Sequence, residues 1–108
     1  MTPQQSVMFF WKVNSELAHS GKEFREAGIS MVDRGFVLPV FVAGPGDEGY
    51  RCRFNIRGTA ATVKVTFDKD NKPTYIATTA DGKFTVTGDE NTRPSDVVIK
   101  LSNAMRGK

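Results

Sequence analysis

Tyr50-Arg51-Cys52-Arg53-Phe54-Asn55-Ile56-Arg57 alternates apolar residues with polar or basic ones. A β-strand sends successive side chains to opposite faces, so Tyr50, Cys52, Phe54 and Ile56 are expected to point inward and Arg51, Arg53, Asn55 and Arg57 outward. A strand of this kind belongs to a sheet with one covered and one solvated face.

The same period of two continues downstream. Gly58 marks a turn, and Ala61 to Phe67 follows with Val63, Val65 and Phe67 in the inward register. Asp68 to Pro73 reads as a hairpin connection. Thr74 to Ala80 and Lys83 to Thr87 then make a further pair around Asp81-Gly82, a dipeptide suited to a type I′ turn. Upstream, the chain reads as strand-like from Ile29. Phe36 to Ala43 is almost continuously apolar, but Pro39 has no amide for a central ladder and marks an edge or a bulge. Gly44 to Gly49 is a loop by composition.

Helices are expected at both ends. Thr2, Pro3 and Gln5 supply an N-cap hydroxyl, a proline at the first helical position and a capping-box partner. At 100° per residue, Val7, Phe10, Trp11, Leu17 and Ala18 fall on one side with Asn14, and Met8 and Val13 lie at its margins. Gln5, Lys12, Glu16 and His19 lie opposite, and Phe9 projects from that polar side. Ser20 and Glu23 repeat the capping signature, giving a second short helix to about Ala27 that Gly28 ends; the alternative is one long helix broken at Gly21. Pro94-Ser95-Asp96 opens the last helix, with Val97, Val98, Leu101, Ala104 and Met105 on one face and Ile99 pointing the other way beside Arg106.

The order helices, strands, helix predicts an α+β fold. An N-terminal helix or helical hairpin and a C-terminal helix pack on one face of a four- to five-stranded antiparallel meander, in a single domain spanning 1–108. A chain of 108 residues with 39% hydrophobic and 25% charged residues buries a core without disulfides or a structural metal. The single cysteine, Cys52, lies in the inward register as a small core residue, which fits a reducing, cytoplasmic setting. No apolar stretch approaches the roughly 20 residues of a membrane helix.

Function classes narrow by chemistry. His19 is the only histidine, and no second residue beside it suggests a triad, so no enzymatic activity is expected. Asp68 to Asn71 echoes the start of a calcium loop, but Pro73 and Thr79 stand where that loop needs glycine and glutamate. Gly44, Gly46 and Gly49 match the spacing of a dinucleotide fingerprint. They lead into a strand instead of a helix, with Asp47 and Glu48 where phosphate would be repelled. No metal and no other cofactor is expected.

Two binding surfaces remain. Arg51, Arg53, Arg57, Lys64 and Lys83, with Thr62, Thr66, Thr85 and Thr87, are expected on the outward sheet face, where guanidinium forks and hydroxyls suit phosphate oxygens. The competing account is an ordinary solvated face, in which threonine is present because it suits strands. The net charge of +3 is a mild bias toward acidic partners. Tyr50, Phe54, Phe67 and Phe84 read as inward and Tyr75 alone is ambiguous, so the stacking platform is missing or reduced to one ring, and a bound nucleic acid would be held by its backbone with little sequence preference. Phe9 and Ile99, stranded on polar helix sides, are the expected protein interface, including a homodimer through the first helix. The expected function is therefore binding, to nucleic acid or to an acidic protein surface. The alternative is a modulator or inhibitor of a larger complex, of the kind phages and plasmids encode.

Overall fold

A computed structural model describes residues 3–36, 48–70 and 72–107. The N-cap at Thr2, the apolar run after Phe36 with its Pro39, the Gly44 to Asp47 part of the glycine loop and Asn71 lie outside the described residues. In chain order the elements are α1 (Pro3–His19), α2 (Gly21–Glu26), β1 (Ile29–Phe36), β2 (Glu48–Ile56), β3 (Thr59–Phe67), β4 (Pro73–Thr79), β5 (Thr85–Gly88) and α3 (Pro94–Met105). The strands form a five-stranded sheet in the order β1-β2-β3-β4-β5, each pair antiparallel. This is the expected α+β meander with a helical hairpin before it and a helix after it.

The alternation read in the sequence is the alternation of burial. Cys52, Phe54 and Ile56 of β2 lie in one buried layer with Ala61, Val63, Val65 and Phe67 of β3, and Tyr75, Ala77 and Thr79 of β4 continue it. Phe10, Val13 and Leu17 of α1, Phe24 of α2 and Val97, Val98 and Leu101 of α3 close over it. Each such aliphatic or aromatic side chain contributes about 1.5–3 kcal/mol by leaving water. Two aromatic groups knit the layers: Phe24 meets Phe54 edge-on at 5.6 Å, and Phe9 meets Phe67 edge-on at 5.4 Å.

Helix α1 is rotated from the orientation its apolar arc suggests. Phe9, expected on the exposed side, is half-buried against Phe10, Phe67 and Tyr75, whereas Met8 and Trp11 are 67% and 62% exposed. An arc this wide cannot all face one sheet. The side that goes inward is the one carrying Glu16 and Ser20 as well as Phe9, and both polar residues have partners there: Ser20 Oγ donates to the Glu16 carbonyl at 2.8 Å and to its Oε2 at 2.9 Å. Ser20 does divide α1 from α2, but its hydroxyl turns back to Glu16 and makes no cap on α2. Gly28 ends the hairpin at φ +76, the left-handed conformation that glycine adopts without strain.

Two loop expectations change in detail. The β4–β5 connection is longer than a two-residue type I′ turn, with only Gly82 left-handed at φ +74, and the Asp81 carboxylate accepts the Thr79 hydroxyl at 2.6 Å and the Lys83 amide at 3.0 Å. Asp68 similarly holds the β3–β4 turn by accepting the amides of Asp70 and Lys72. These local hydrogen bonds are why Asp favours such positions.

Candidate polyanion-binding face

All three helices lie on one side of the sheet, which leaves the other side uncovered among the described residues. Its rows follow from strand register. Gly35, Arg51, Lys64, Ile76 and Thr87 make one line across the sheet, and Asp33, Arg53, Thr62, Thr78 and Thr85 make the next. Neighbouring strands are about 4.8 Å apart and alternate residues along a strand about 6.8 Å, so Arg51, Arg53 and Lys64 have their Cα atoms within one small triangle. Around it stand Asn55, Thr62, Thr66, Thr74, Thr78 and Thr85, whose Thr78 and Thr85 hydroxyls meet at 2.9 Å.

Among the described side chains of this face, the charged ones are Arg51, Arg53 and Lys64. Arg51 and Lys64 are direct register partners, a like-charge pair that by itself costs stability across an antiparallel ladder. Arg51 and Arg53 each have an interaction partner within the fold. Acidic positions border the triangle: Asp33 is in register with Arg53, and Glu48 with Thr66. Among the described side chains, the face is basic at its centre and hydroxyl-rich around it.

Arg57 does not belong to it. The strand ends at Ile56, and Arg57 sits in the turn to β3 with φ +49, which swings its side chain to the helical side. There Nη1 donates to the Ser102 hydroxyl at 2.6 Å and to the Ala27 carbonyl at 3.0 Å, while Nη2 donates to the Ser102 carbonyl at 3.1 Å. One guanidinium thus ties the carbonyl end of α3 to the end of α2, where helices leave their last carbonyls without intrahelical donors. The alternation rule placed Arg57 outward because it assumes that the strand continues. The flanking Gly58, at φ +90, was the available signal that it does not.

Lys83 also lies outside the strands. It stands in the β4–β5 connection beside Asp81, because β5 begins at Thr85. The two expected interface residues are both engaged inside the fold: Phe9 in the aromatic cluster and Ile99 against the core. The large exposed apolar side chains among the described residues are instead Met8, Trp11 and Val32, the last at the register shift of edge strand β1.

His19 is exposed, with Nδ1 2.7 Å from the Ser15 carbonyl oxygen in the last turn of α1. Among the described residues, no three His, Cys, Asp or Glu side chains gather as a metal-ligand set. No described helix is long and apolar enough to cross a membrane. Comparison with protein-family models, with curated proteins and with solved structures returns no match.

Proposed function

We propose that this protein is a non-enzymatic binding module whose uncovered sheet face engages the phosphate backbone of nucleic acid. The observation that supports the reading is the triangle of Arg51, Arg53 and Lys64 at the centre of a hydroxyl-rich face that no described helix covers. Arginine forks and threonine hydroxyls donate to phosphate oxygens without reading bases. The described side chains of the face include no aromatic ring, so backbone contacts dominate and sequence preference is slight. An acidic protein surface is the other partner of matching charge, and the buried Cys52 suits a reducing, cytoplasmic setting.

The test is fluorescence anisotropy of labelled single- and double-stranded oligonucleotides at low salt. Binding by the parent chain, and its loss in Arg51→Gln/Arg53→Gln/Lys64→Gln measured at a temperature where circular dichroism shows the variant folded, is the expected result. Absence of any anisotropy change for the parent chain sinks the reading.

A second reading, a protein-binding modulator or a homodimer through α1, is favoured by the exposure of Met8 and Trp11 on that helix. Sedimentation velocity separates the two. A concentration-dependent dimer that Trp11→Ser abolishes supports this reading, and a monomer at every concentration removes its self-association form.

A further inference from the structure

A groove of about 380 Å³ runs between α1, the start of β4 and the first turn of α3, on the opposite side of the sheet from the basic triangle. Its volume is within the roughly 300–1,000 Å³ of small-molecule sites. The apolar lining comes from Phe9 and Val13 of α1, Pro73 at the start of β4 and Pro94 at the start of α3. Tyr75 also lines it and is only 5% exposed. The phenol hydroxyl has no hydrogen-bond partner among the described residues, and a buried hydroxyl of this kind ordinarily has one. Its ring lies nearly parallel to that of Phe9, at 13° and 6.5 Å between centroids.

The charged lining sets the sign of an occupant. Glu16 and Glu90 face one lysine, Lys12, so the groove disfavours anions. Both Glu16 oxygens are already engaged, Oε1 by the Ser95 amide and Oε2 by the Ser20 hydroxyl. Glu90 is freer to act, since its pairing with Lys72 is long, at 3.8 Å, and exposed. Burial and the nearby Glu16 charge both hold the Tyr75 phenol above its ordinary pKa, so it remains a proton donor at neutral pH.

We propose that this groove is a binding site for a compact aromatic molecule, neutral or singly cationic, whose hydrogen-bond acceptor takes the Tyr75 hydroxyl and whose cation, where present, pairs with Glu90. The proline and aromatic walls accept a flat ring, and the phenol, without a hydrogen-bond partner among the described residues, supplies the directional contact. The site is independent of the sheet-face reading, because it shares no residue with that face.

Three probes of one shape and different charge test it: tyramine, 4-ethylphenol and 4-hydroxyphenylacetate, titrated into ¹⁵N-labelled protein to millimolar concentration. Tyramine and 4-ethylphenol are expected to shift the amides of Phe9, Val13 and Tyr75, with 4-hydroxyphenylacetate weakest. Tyr75→Phe is expected to weaken tyramine by about three- to tenfold, the range of one hydrogen bond, with a melting temperature equal to or above the parent's. Glu90→Gln is expected to remove the advantage of tyramine over 4-ethylphenol. The proposal is overturned if no probe shifts the groove, if the anionic probe binds best, or if Tyr75→Phe binds like the parent. A lowered melting temperature in Tyr75→Phe also overturns it, because the hydroxyl would then hold a partner within the fold.

Discussion

Glu16 Oε1 accepts a hydrogen bond of 2.7 Å from the backbone amide of Ser95. The residue at the N-cap position of α3, Arg93, makes no side-chain cap, so a carboxylate from α1 takes over a task usually done locally. It also places negative charge at the positive end of the α3 dipole. Arg57 closes the other end of the same helix through Ser102. Helix α3 is thus held at both termini by residues from elsewhere in the chain.

Removing Glu16 leaves the buried Ser95 amide without an acceptor. Glu16→Ala is expected to cost about 1–3 kcal/mol, the penalty for an unsatisfied buried donor. Glu16→Gln keeps an acceptor oxygen and is expected to lose less. Urea unfolding followed by circular dichroism measures both.

Arg57→Ala removes donors from three carbonyl or hydroxyl oxygens and puts alanine at φ +49, so a loss of about 2–3 kcal/mol is expected. Arg57→Gly loses the same donors without the backbone strain and is expected to retain about 1 kcal/mol more. Neither change is expected to alter oligonucleotide affinity in the folded protein. Anisotropy at a temperature where both variants are folded checks this, and a specific loss of binding would return Arg57 to the binding face.

Gly28 and Arg57 are coupled by contact as well as by the 3.0 Å bond from the Arg57 amide to the Gly28 carbonyl. A Cβ at Gly28 would come within 2.7 Å of Arg57 Cγ, and φ is +76. Gly28→Ala is expected to destabilise by about 1–2 kcal/mol from the left-handed backbone alone, with a further loss from displacement of the arginine. In Arg57→Gly that second part disappears, so a double-mutant cycle measured by thermal unfolding is expected to be non-additive.

If Arg51, Arg53 and Lys64 each neutralise a phosphate, log affinity for duplex DNA falls against log salt with a slope near −2.7, about −0.9 for each contact. Each glutamine substitution is expected to reduce the slope by about 0.9. A slope unchanged by all three substitutions places binding elsewhere.

Burial, with the Glu16 charge second, raises the Tyr75 phenol above its ordinary pKa. A group whose folded value is raised stabilises the fold fully below its unfolded pKa, here about 10, and this contribution is lost as pH climbs through the folded value. Stability is therefore expected to fall above about pH 10. In a Tyr50→Phe background, the tyrosinate absorbance reports Tyr75 alone, and its midpoint is expected above that of free tyrosine.

Much of the fold was legible because a sheet covered on one face prints a period of two into the chain. Cys52, Phe54, Val63 and Val65 were assigned inward by alternation, and all four are buried. Prolines suited to the first helical position marked the helix starts at Pro3 and Pro94. Arg57 was misplaced because alternation is a property of extended backbone, and it fails at the first residue with positive φ. Phe9 and Trp11 of α1 depart from the expected sides for a different reason. A helical wheel ranks faces by apolarity alone, whereas the face of α1 that is buried also delivers the Glu16 carboxylate to a helix terminus 79 residues away in sequence.

The sequence by itself determined the α+β order, the strand faces and the sheet's share of the core, since each depends on a local period or a locally marked helix start. Only the tertiary structure decided how α1 is rotated, where the Arg57 guanidinium goes and that Tyr75 lines a groove. Those outcomes rest on contacts between elements distant in the chain, where satisfying a buried amide or a helix-terminal carbonyl outweighs the placement that local pattern favours.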